Sequence, residues 1–497
     1  MTMQWSPQQA AFLDWAVEGK GSVVLEAVAG AGKTTVLMEA GKLMPGQVAY
    51  MAYNRKIVDE AKAKLAAAGV DWKKMQANTA HGFGFAAYRK FRPNVRVDDK
   101  KTYAVIDRTL TGQPHPLAPW FAVIVQLVSL AKQSAYGIAG PADDYHAWTT
   151  MAEHFDVFDE DDGAPRKKVI EAAMDVLARS SEDYDVIDFD DMIYMPLLHR
   201  CKFWQFDVVM VDEAQDTNAA RRALVRTMVR KGGRVVAVGD RHQAIYGFTG
   251  ADADALDLIA RDHSCSRMPL TVSYRCPQSV VAFARKWVSH IEAAPTAPEG
   301  EVSSTTLADF MRRNDLDSGA AVLSRTNKPL AQLAFRLIRQ RTPCRVEGRD
   351  VAEGIKKLMT RWKVSSLDAL ETKLEVYLAR ETTKLLAAKK EAKLAYVEDA
   401  VETVRVVIDQ CRLEGKHKVS DATDHVDAIF GDNVRDVLTL SSIHKAKGRE
   451  WPRVFWLDRA GTCPNKWARQ EWQLGQETNL CYVAATRAQQ QLIEVTP

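Results

Sequence analysis

Two residues able to handle phosphate, Lys33 and Thr34, follow the small residues Ala29, Gly30, Ala31 and Gly32, and a second threonine, Thr35, comes next. The full string at 27–35 is Ala-Val-Ala-Gly-Ala-Gly-Lys-Thr-Thr. Glycines let main-chain N–H groups approach phosphate oxygens, the lysine reaches the β- and γ-phosphates, and the threonine hydroxyl ligates Mg²⁺. Ala27 stands where glycine is common, a change small enough for such a loop. A second chemical pair, Asp212 and Glu213, ends the apolar run 206–211. In a nucleoside triphosphatase, Asp212 would hold Mg²⁺ and Glu213 would act as general base on the attacking water. Gln243 comes just beyond a further apolar run, 234–240, and is placed to sense the γ-phosphate.

These groups need elements to hold them. Ser22–Glu26 is a short apolar run that predicts a buried strand, and residues 36–40 have helical character. Ser6 and Pro7 predict the start of a helix over the residues that follow, with Gln9 either a solvent-facing amide or a reader of the adenine edge. A second strand, 47–52, runs into Tyr53 and Asn54 and then a helix from Ile57 to about Ala68. Residues 76–82, containing Thr79 and His81, lead into Phe83, Phe85 and Tyr88, which read first as core aromatics. Strands and helices alternating after a phosphate loop predict an α/β fold with a parallel sheet and ligands at its carboxyl edge.

That rhythm is lost between residues 89 and 180, where Pro93, Pro114, Pro116 and Pro119 and an acidic run at 159–162 accompany helical stretches. We expect an inserted helical subdomain with the acidic run in a solvated loop. Strand character returns at 185–192 and 206–211. A second domain of the same type is expected from residue 266, with a strand at 270–275 and a strand and loop at 321–327. A lysine-rich helical segment interrupts it over 351–433. Its apolar positions are Leu374, Val376, Tyr377, Leu385, Leu386, Leu394, Val397, Val401, Val404 and Val407. Lys384, Lys389, Lys390 and Lys393 there read as a solvated face ahead of a phosphate-contacting one. The second sheet is expected to resume at 437–448 and 454–457 and to end with 478–488.

The 497 residues suit several domains, and a net charge of +3 neither favours nor excludes a polyanionic partner. Seven scattered cysteines with no close pair argue against a zinc or iron–sulfur site and fit a reducing compartment. The amino terminus does not resemble a signal peptide, and no apolar run reaches membrane-spanning length. The expected location is cytoplasmic, with the nucleoid, or nuclear, without membrane association.

In order along the chain stand Ala-Gly-Ala-Gly-Lys-Thr (29–34), Ile-Asp-Phe-Asp-Asp-Met (187–192) and Val-Asp-Glu-Ala-Gln-Asp (211–216). Val-Gly-Asp (238–240), Gln-Ala-Ile-Tyr (243–246), Tyr-Arg (274–275), His-Lys-Ala-Lys-Gly-Arg-Glu (444–450) and Tyr-Val-Ala-Ala-Thr-Arg-Ala (482–488) follow. Together they resemble the superfamily 1 helicases of the UvrD/Rep/PcrA type. Gly-Asp-Arg-His-Gln-Ala-Ile-Tyr-Gly-Phe (239–248) and Ala-Tyr-Asn-Arg-Lys (52–56) resemble the F-box DNA helicase branch in particular, though no F-box is recognisable.

The resemblance implies two RecA-like motor domains with parallel sheets, each interrupted by a mainly helical accessory subdomain, and ATP in the cleft between them. The first motor domain would comprise 1–88 and 181–265 around an insert at 89–180. The second would comprise 266–350 and 434–497 around a short insert at 351–433. By resemblance Gln9 reads adenine, Tyr274 stacks on it and Glu450 approaches the ribose. The phosphate loop, with Lys33, Thr34, Asp212 and Glu213, binds and hydrolyses ATP with Mg²⁺, and Gln243 contacts the γ-phosphate. Arg275 and Arg487 act as arginine fingers. Tyr53, Asn54, Thr79, His81, Tyr246, Phe248, Arg325 and His444 contact single-stranded DNA. Phe248 keeps a stacking face where tryptophan is common, and Gly247 and Thr249 replace residues that are often basic.

The implied activity is 3′-to-5′ translocation on single-stranded DNA, or unwinding at single/double-strand junctions, in repair, replication or recombination. The alternatives are an RNA-directed helicase and an ATP-gated binding subunit of a larger complex. The intact set of catalytic residues argues against the last. A fused nuclease is not expected because the chain stops soon after the last motif, whereas a separate nuclease or other repair and replication proteins remain candidate partners.

Overall fold

The computed structural model describes residues 4–496 apart from 111–114, 159–162, 248–249, 253, 341, 348, 388–390, 431–436, 466–467 and 469. Pro114, the acidic run 159–162, Phe248, Thr249, Lys389, Lys390 and the Lys393 side chain therefore lie outside the described residues. The chain divides into two compact units, one ending at Thr271 and the other starting at Val272.

The first unit begins with α1 (Pro7–Glu18), β1 (Val23–Ala27), α2 (Lys33–Leu43), β2 (Val48–Ala52), α3 (Arg55–Ala67), β3 (Met75–Thr79) and α4 (Ala80–Phe91). A largely helical stretch follows: β4 (Arg96–Val97), α5 (Lys101–Thr109), α6 (Phe121–Gln133), α7 (Tyr145–His154), α8 (Arg166–Glu182), β5 (Val186–Ile187) and α9 (Asp191–Leu198). The unit closes with β6 (Phe206–Val211), α10 (Ala219–Met228), β7 (Val229–Gly239), α11 (Ala255–Asp262) and β8 (Ser266–Leu270). Six strands form one parallel sheet in the order β3-β2-β6-β7-β1-β8. β2 is buried at all five positions, as expected of a parallel strand covered on both faces.

The helical stretch is joined to this sheet by a continuous apolar core and by buried charge. Lys101 of α5 pairs with Asp191 at 2.7 Å, and Lys132 of α6 pairs with Asp188 at 2.6 Å and Asp191 at 2.8 Å. Both lysines and Asp191 are almost wholly removed from solvent. Burial pulls the Lys132 ammonium toward neutrality, but Asp191 and Asp188 outweigh it and hold it well above its ordinary value. Residues 185–192, expected as sheet, are instead β5, a short connection carrying Asp188, and the start of α9 carrying Asp191. Only Val186 and Ile187 are extended, and they pair with β4 rather than with the main sheet.

The second unit contains β9 (Val272–Ser273), α12 (Gln278–Ala284), β10 (Glu292–Ala293), β11 (Glu301–Thr306), α13 (Leu307–Phe310), β12 (Ala320–Ser324), α14 (Asn327–Arg339) and β13 (Cys344–Val346). Next come α15 (Arg349–Thr360), α16 (Leu367–Ala387), α17 (Glu391–Leu413) and α18 (Val419–Phe430). Then follow β14 (Leu438–Ser442), α19 (Ile443–Ala446), β15 (Trp451–Leu457), α20 (Arg459–Thr462), α21 (Glu471–Ala485) and β16 (Ala488–Thr496). Its sheet is also six-stranded and parallel, ordered β11-β16-β15-β12-β14-β13. Leu374, Leu385, Val401, Val404 and Val407 join the same core as the sheet, whereas Val376 and Leu386 are exposed.

Three further strand assignments differ from expectation. Of the stretch 437–448 only Leu438–Ser442 is strand, and Ile443–Ala446 is α19. The stretch 270–275 is not one strand: Leu270 ends β8, which pairs with β1 in the first sheet, and β9 pairs with β10. The change of unit thus comes after Thr271 rather than after residue 265. Residues 478–485, expected as sheet, are the carboxyl half of α21, and the strand is β16 beyond them. Leu480 to Ala485 is buried at every position, so this helix carries no polar stripe to distinguish it from a buried strand. Among the described residues no helix is long and apolar enough to cross a membrane.

Candidate active site

β1, β7 and β6 lie side by side, so the segments leaving their carboxyl ends converge on one edge of the first sheet. β1 runs into the phosphate loop, where Gly30 and Gly32 adopt φ of 73° and 74°. Gly32 caps α2, and Lys33 and Thr34 form that helix's first turn. A side chain at Gly32 would be strained by this left-handed backbone and would crowd the Gln9 amide. Ala29 and Ala31 are buried, Gly30 is half-buried and Thr35 is exposed.

The residues expected to handle metal and water meet these groups directly. The Thr34 hydroxyl donates to Asp212 Oδ2 at 2.9 Å, and Lys33 Nζ lies 3.7 Å from Glu213 Oε1. Asp212 Oδ1 accepts the Glu213 main-chain N–H at 2.9 Å. Burial drives the Asp212 carboxyl upward and the Glu213 charge adds to the shift; Tyr50, Lys33 and Thr34 pull the other way. Glu213 itself adopts φ 51°, a left-handed conformation that costs a non-glycine residue about 1 kcal/mol.

Three participants were not legible in the sequence. The buried Tyr50 phenol donates to Asp212 Oδ2 at 2.5 Å. Gln215 donates to Glu213 Oε2, and its own carbonyl accepts the Asp240 main-chain N–H at 3.0 Å. Gln243 Nε2 donates to Asp240 Oδ2 at 2.7 Å. Glu213 and Gln243 are therefore linked through Gln215 and Asp240. Those two stand inside motif strings, whereas Tyr50 looks like any apolar-strand aromatic.

Gln9 is buried. Its Oε1 accepts the Ser6 main-chain N–H at 3.0 Å, and its Nε2 donates to the Ala31 carbonyl at 3.1 Å. It thus caps its own helix and braces the phosphate loop. The Thr34 hydroxyl and the adjacent carboxylates of Asp212 and Glu213 fit Mg²⁺, which prefers oxygen donors shared between protein and nucleotide phosphates. Among the described residues no group of three or more His, Cys, Asp or Glu residues forms a self-contained metal cage.

Alongside, Tyr53 stacks on Tyr246 with ring centroids 5.8 Å apart and planes 9° from parallel. The Arg221 guanidinium lies 5.9 Å from the Tyr53 ring, and His81 meets Phe189 edge-on. A cavity of about 270 Å³ is bordered by Tyr53, His81, Asn218 and Arg221. Burial, with Tyr53 and acidic neighbours, raises the Tyr246 phenol; burial and Asp216 push Tyr53 up to about 12. Burial, helped by Arg221, lowers His81 to about 4. Asn54 and Thr79 cap α3 and α4 by accepting the Ile57 and Gly82 N–H groups.

In the second unit Tyr274 is exposed. Arg275 forms an ion pair with Glu450 and donates to the Thr486 carbonyl at 3.4 Å. Glu450 also accepts from Gln489 at 2.9 Å. Arg487 is fully buried, donating to the carbonyls of Val483 (2.9 Å) and Arg449 (3.2 Å) and to the Thr486 hydroxyl (3.1 Å). Arg325 grips Glu477 through both carboxylate oxygens, at 2.6–3.1 Å. His444 lies close enough to Arg325 and Lys447 that these cations, after burial, lower it to about 3.

Residues 6–264 match the UvrD/REP helicase N-terminal domain, and residues 372–495 match the UvrD-like helicase C-terminal domain. The chain is 24% identical to F-box DNA helicase protein 1 of Schizosaccharomyces pombe over 519 aligned residues, covering 94% of this chain and 55% of that protein. It is 41% identical to the ATP-dependent DNA helicase Rep of Escherichia coli over 109 residues, covering 20% and 16%. Against the ATP-dependent DNA helicase PcrA of Leuconostoc citreum it is 24% identical over 305 residues, covering 54% and 37%. The chain spans about half the length, or less, of the relatives it matches. With the amino-terminal family match covering more than half of its length and the carboxyl-terminal match following in order, the chain belongs to the UvrD/REP helicase family.

Proposed function

We propose that the chain is an ATP-dependent DNA helicase or single-stranded DNA translocase, moving 3′ to 5′. The observation carrying this reading is the joined pair of contacts at the first sheet's edge, Thr34 to Asp212 and Lys33 to Glu213. In this reading they gather a lysine for phosphate, a hydroxyl and carboxylate for metal, and a general base into one cluster of contacts.

In the proposed reaction, Lys33 and the main-chain N–H groups of the loop hold the β- and γ-phosphates. Bound Mg²⁺, held by Thr34 and Asp212, would neutralise charge on those phosphates. Glu213 orients a water and takes its proton as the new bond to the γ-phosphorus forms and the bond to the ADP oxygen breaks. Gln243, linked to Glu213 through Asp240 and Gln215, reports whether the γ-phosphate is present. Tyr274 and Glu450 serve the base and ribose, together with Gln9 if its amide leaves its present partners. Arg275 and Arg487 supply positive charge to the departing phosphate; for this Arg275 must release Glu450 and the buried Arg487 must leave the Val483 and Arg449 carbonyls. Tyr53, Asn54, Thr79, His81, Tyr246, Phe248, Arg325 and His444 form the DNA track. The proposed setting is repair, replication or recombination, on single strands and their junctions with duplex, with a separate nuclease or other proteins as candidate partners.

The test is ATP hydrolysis without nucleic acid, with single-stranded DNA, and with RNA of the same sequence, followed by unwinding of duplexes bearing 3′ or 5′ tails. Stimulation by DNA alone and unwinding from 3′ tails is the expected result. Equal stimulation by RNA would overturn the DNA assignment, and stimulation by neither would overturn the motor assignment for this chain acting alone.

A further inference from the structure

A cavity of about 470 Å³ is lined by four consecutive residues of β3, Met75 to Asn78, the strand at the outer edge of the first sheet. It runs along most of β3, and none of Lys33, Asp212, Glu213 and Gln243 lines it. Met75 and Phe206, which line it, are the first residues of β3 and β6, whereas Lys33, Asp212 and Gln243 follow strand carboxyl ends. The floor is apolar, with Leu65, Met75, Ala87, Phe206 and Met228 buried.

The rim has a different character. Trp72 is 65% exposed and Trp204 50% exposed, although both border the cavity. Large aromatic surfaces left in water beside an apolar hollow mark a contact site more often than a bare surface. Lys62 and Lys90 line the same cavity, and among the described residues no carboxylate does. Lys90 Nζ stands 5.6 Å from the Trp204 ring and Lys73 Nζ 6.0 Å from the Trp72 ring. β3 pairs only with β2 among the described residues, so its outer edge can accept another extended chain.

We propose that this groove docks an extended acidic segment of a partner protein. One large apolar side chain enters the cavity between the tryptophans, and flanking carboxylates meet Lys62 and Lys90. Two lysines over an apolar floor do not make the continuous basic track that a nucleic-acid strand requires. The site is separate from the proposed motor chemistry and does not depend on it.

The experiment is fluorescence anisotropy on the full chain, using a fluorescein-labelled peptide that alternates aspartate with phenylalanine. A peptide with lysine in place of aspartate and an unlabelled oligothymidylate serve as comparisons. Saturable binding of the acidic peptide is expected, weakened about tenfold by Lys62→Glu combined with Lys90→Glu. Trp72→Ala should also weaken it, with melting temperature and DNA-stimulated ATP hydrolysis unchanged. Equal binding of the lysine peptide, or affinity unaffected by the substitutions, would overturn the proposal. Displacement by oligothymidylate would reassign the groove to nucleic acid. Concentration-dependent dimers that vanish in Trp72→Ala, with no peptide binding, would reassign it to a second copy of the chain.

Discussion

Replacing Tyr50 by phenylalanine removes one oxygen and nothing else from a fully buried position beside the proposed metal site. That oxygen donates to Asp212 Oδ2 at 2.5 Å, and the Thr34 hydroxyl supplies the same acceptor with its other donor at 2.9 Å. Burial and the Asp212 charge hold the phenol's pKa well above its ordinary value, so it remains a donor throughout the working pH range. If Thr34 turns its oxygen to Mg²⁺, Tyr50 is left as the side-chain donor on Oδ2. A hydrogen bond to a charged group contributes about 1.5–3 kcal/mol, and the lower end applies if a water takes the vacated place. About 1.5 kcal/mol corresponds to roughly a tenfold change in an equilibrium constant.

Tyr50→Phe should therefore raise the free Mg²⁺ needed for half-maximal binding of a fluorescent ADP analogue about tenfold. ATP hydrolysis at saturating Mg²⁺ should fall less. The melting temperature should drop by only a few degrees, because one buried acceptor loses one of its donors. An unchanged Mg²⁺ requirement in a folded Tyr50→Phe protein would refute the claim that this phenol orients Asp212. Loss of all nucleotide binding would instead show that the substitution damages the phosphate loop itself.

Lys33→Ala should abolish ATP hydrolysis while shifting stability by less than about 1 kcal/mol, since the Glu213 contact is long and partly exposed; wild-type turnover in a steady-state assay would remove the phosphate-loop assignment. Arg325→Ala leaves the nearly buried Glu477 without its bidentate partner and should cost about 3 kcal/mol in denaturant unfolding of the second unit. A variant with full stability would show that the Arg325–Glu477 pair does not hold the second unit together. With His81 lowered to about 4 and His444 to about 3, both are neutral from pH 6 to 8, so anisotropy at fixed salt should give them no part in any pH dependence of DNA binding. The unfolded chain takes up those protons near pH 6.5, so their contribution to stability falls as pH drops below that value. Lys132→Met should destabilise the first unit by about 3–5 kcal/mol by stranding buried carboxylates. Burial raises Asp188, but Lys132 outweighs it and leaves the carboxyl below its ordinary value. The stability gained from that shift is present above about pH 4 and is lost as pH falls through the depressed pKa. A melting-temperature profile against pH should show this acid limb in the wild type and a shallower one in Lys132→Met.

The strand–turn–helix at 23–43 is legible in the sequence because its turn demands glycine where the backbone is left-handed, at Gly30 and Gly32. The pairing of Asp212 and Glu213 with the loop is legible because an apolar strand ends abruptly in two acids downstream of it, and the fold brings them against Thr34 and Lys33. Strand order is not legible, since nothing in a parallel strand's composition says which neighbour it pairs with. The carboxyl half of α21 reads as a strand because a segment buried all round has no periodic polar face. Asn54 and Thr79 stand at motif positions expected to contact DNA, yet each closes a helix end, a duty that suits the same short polar side chains. Arg487 is a motif arginine, and only the fold reveals that its guanidinium is enclosed by main-chain carbonyls.

The buried ion cluster of Lys101, Lys132, Asp188 and Asp191 bears on modularity. Its lysines belong to α5 and α6, and its carboxylates to the β5–α9 connection and the first turn of α9, the segment that leads back toward the sheet. Excising residues 101–182 from the chain would leave Asp188 and Asp191 facing no countercharge, and the excised helices would carry two ammonium groups into their own interior. Neither fragment inherits a neutral core. The helical stretch is therefore not a detachable cassette, and a chimera that exchanges it for another helical domain would have to bring its own 185–192 segment along. Heating the first unit should likewise give one cooperative heat-absorption peak rather than a helical transition followed by a sheet transition.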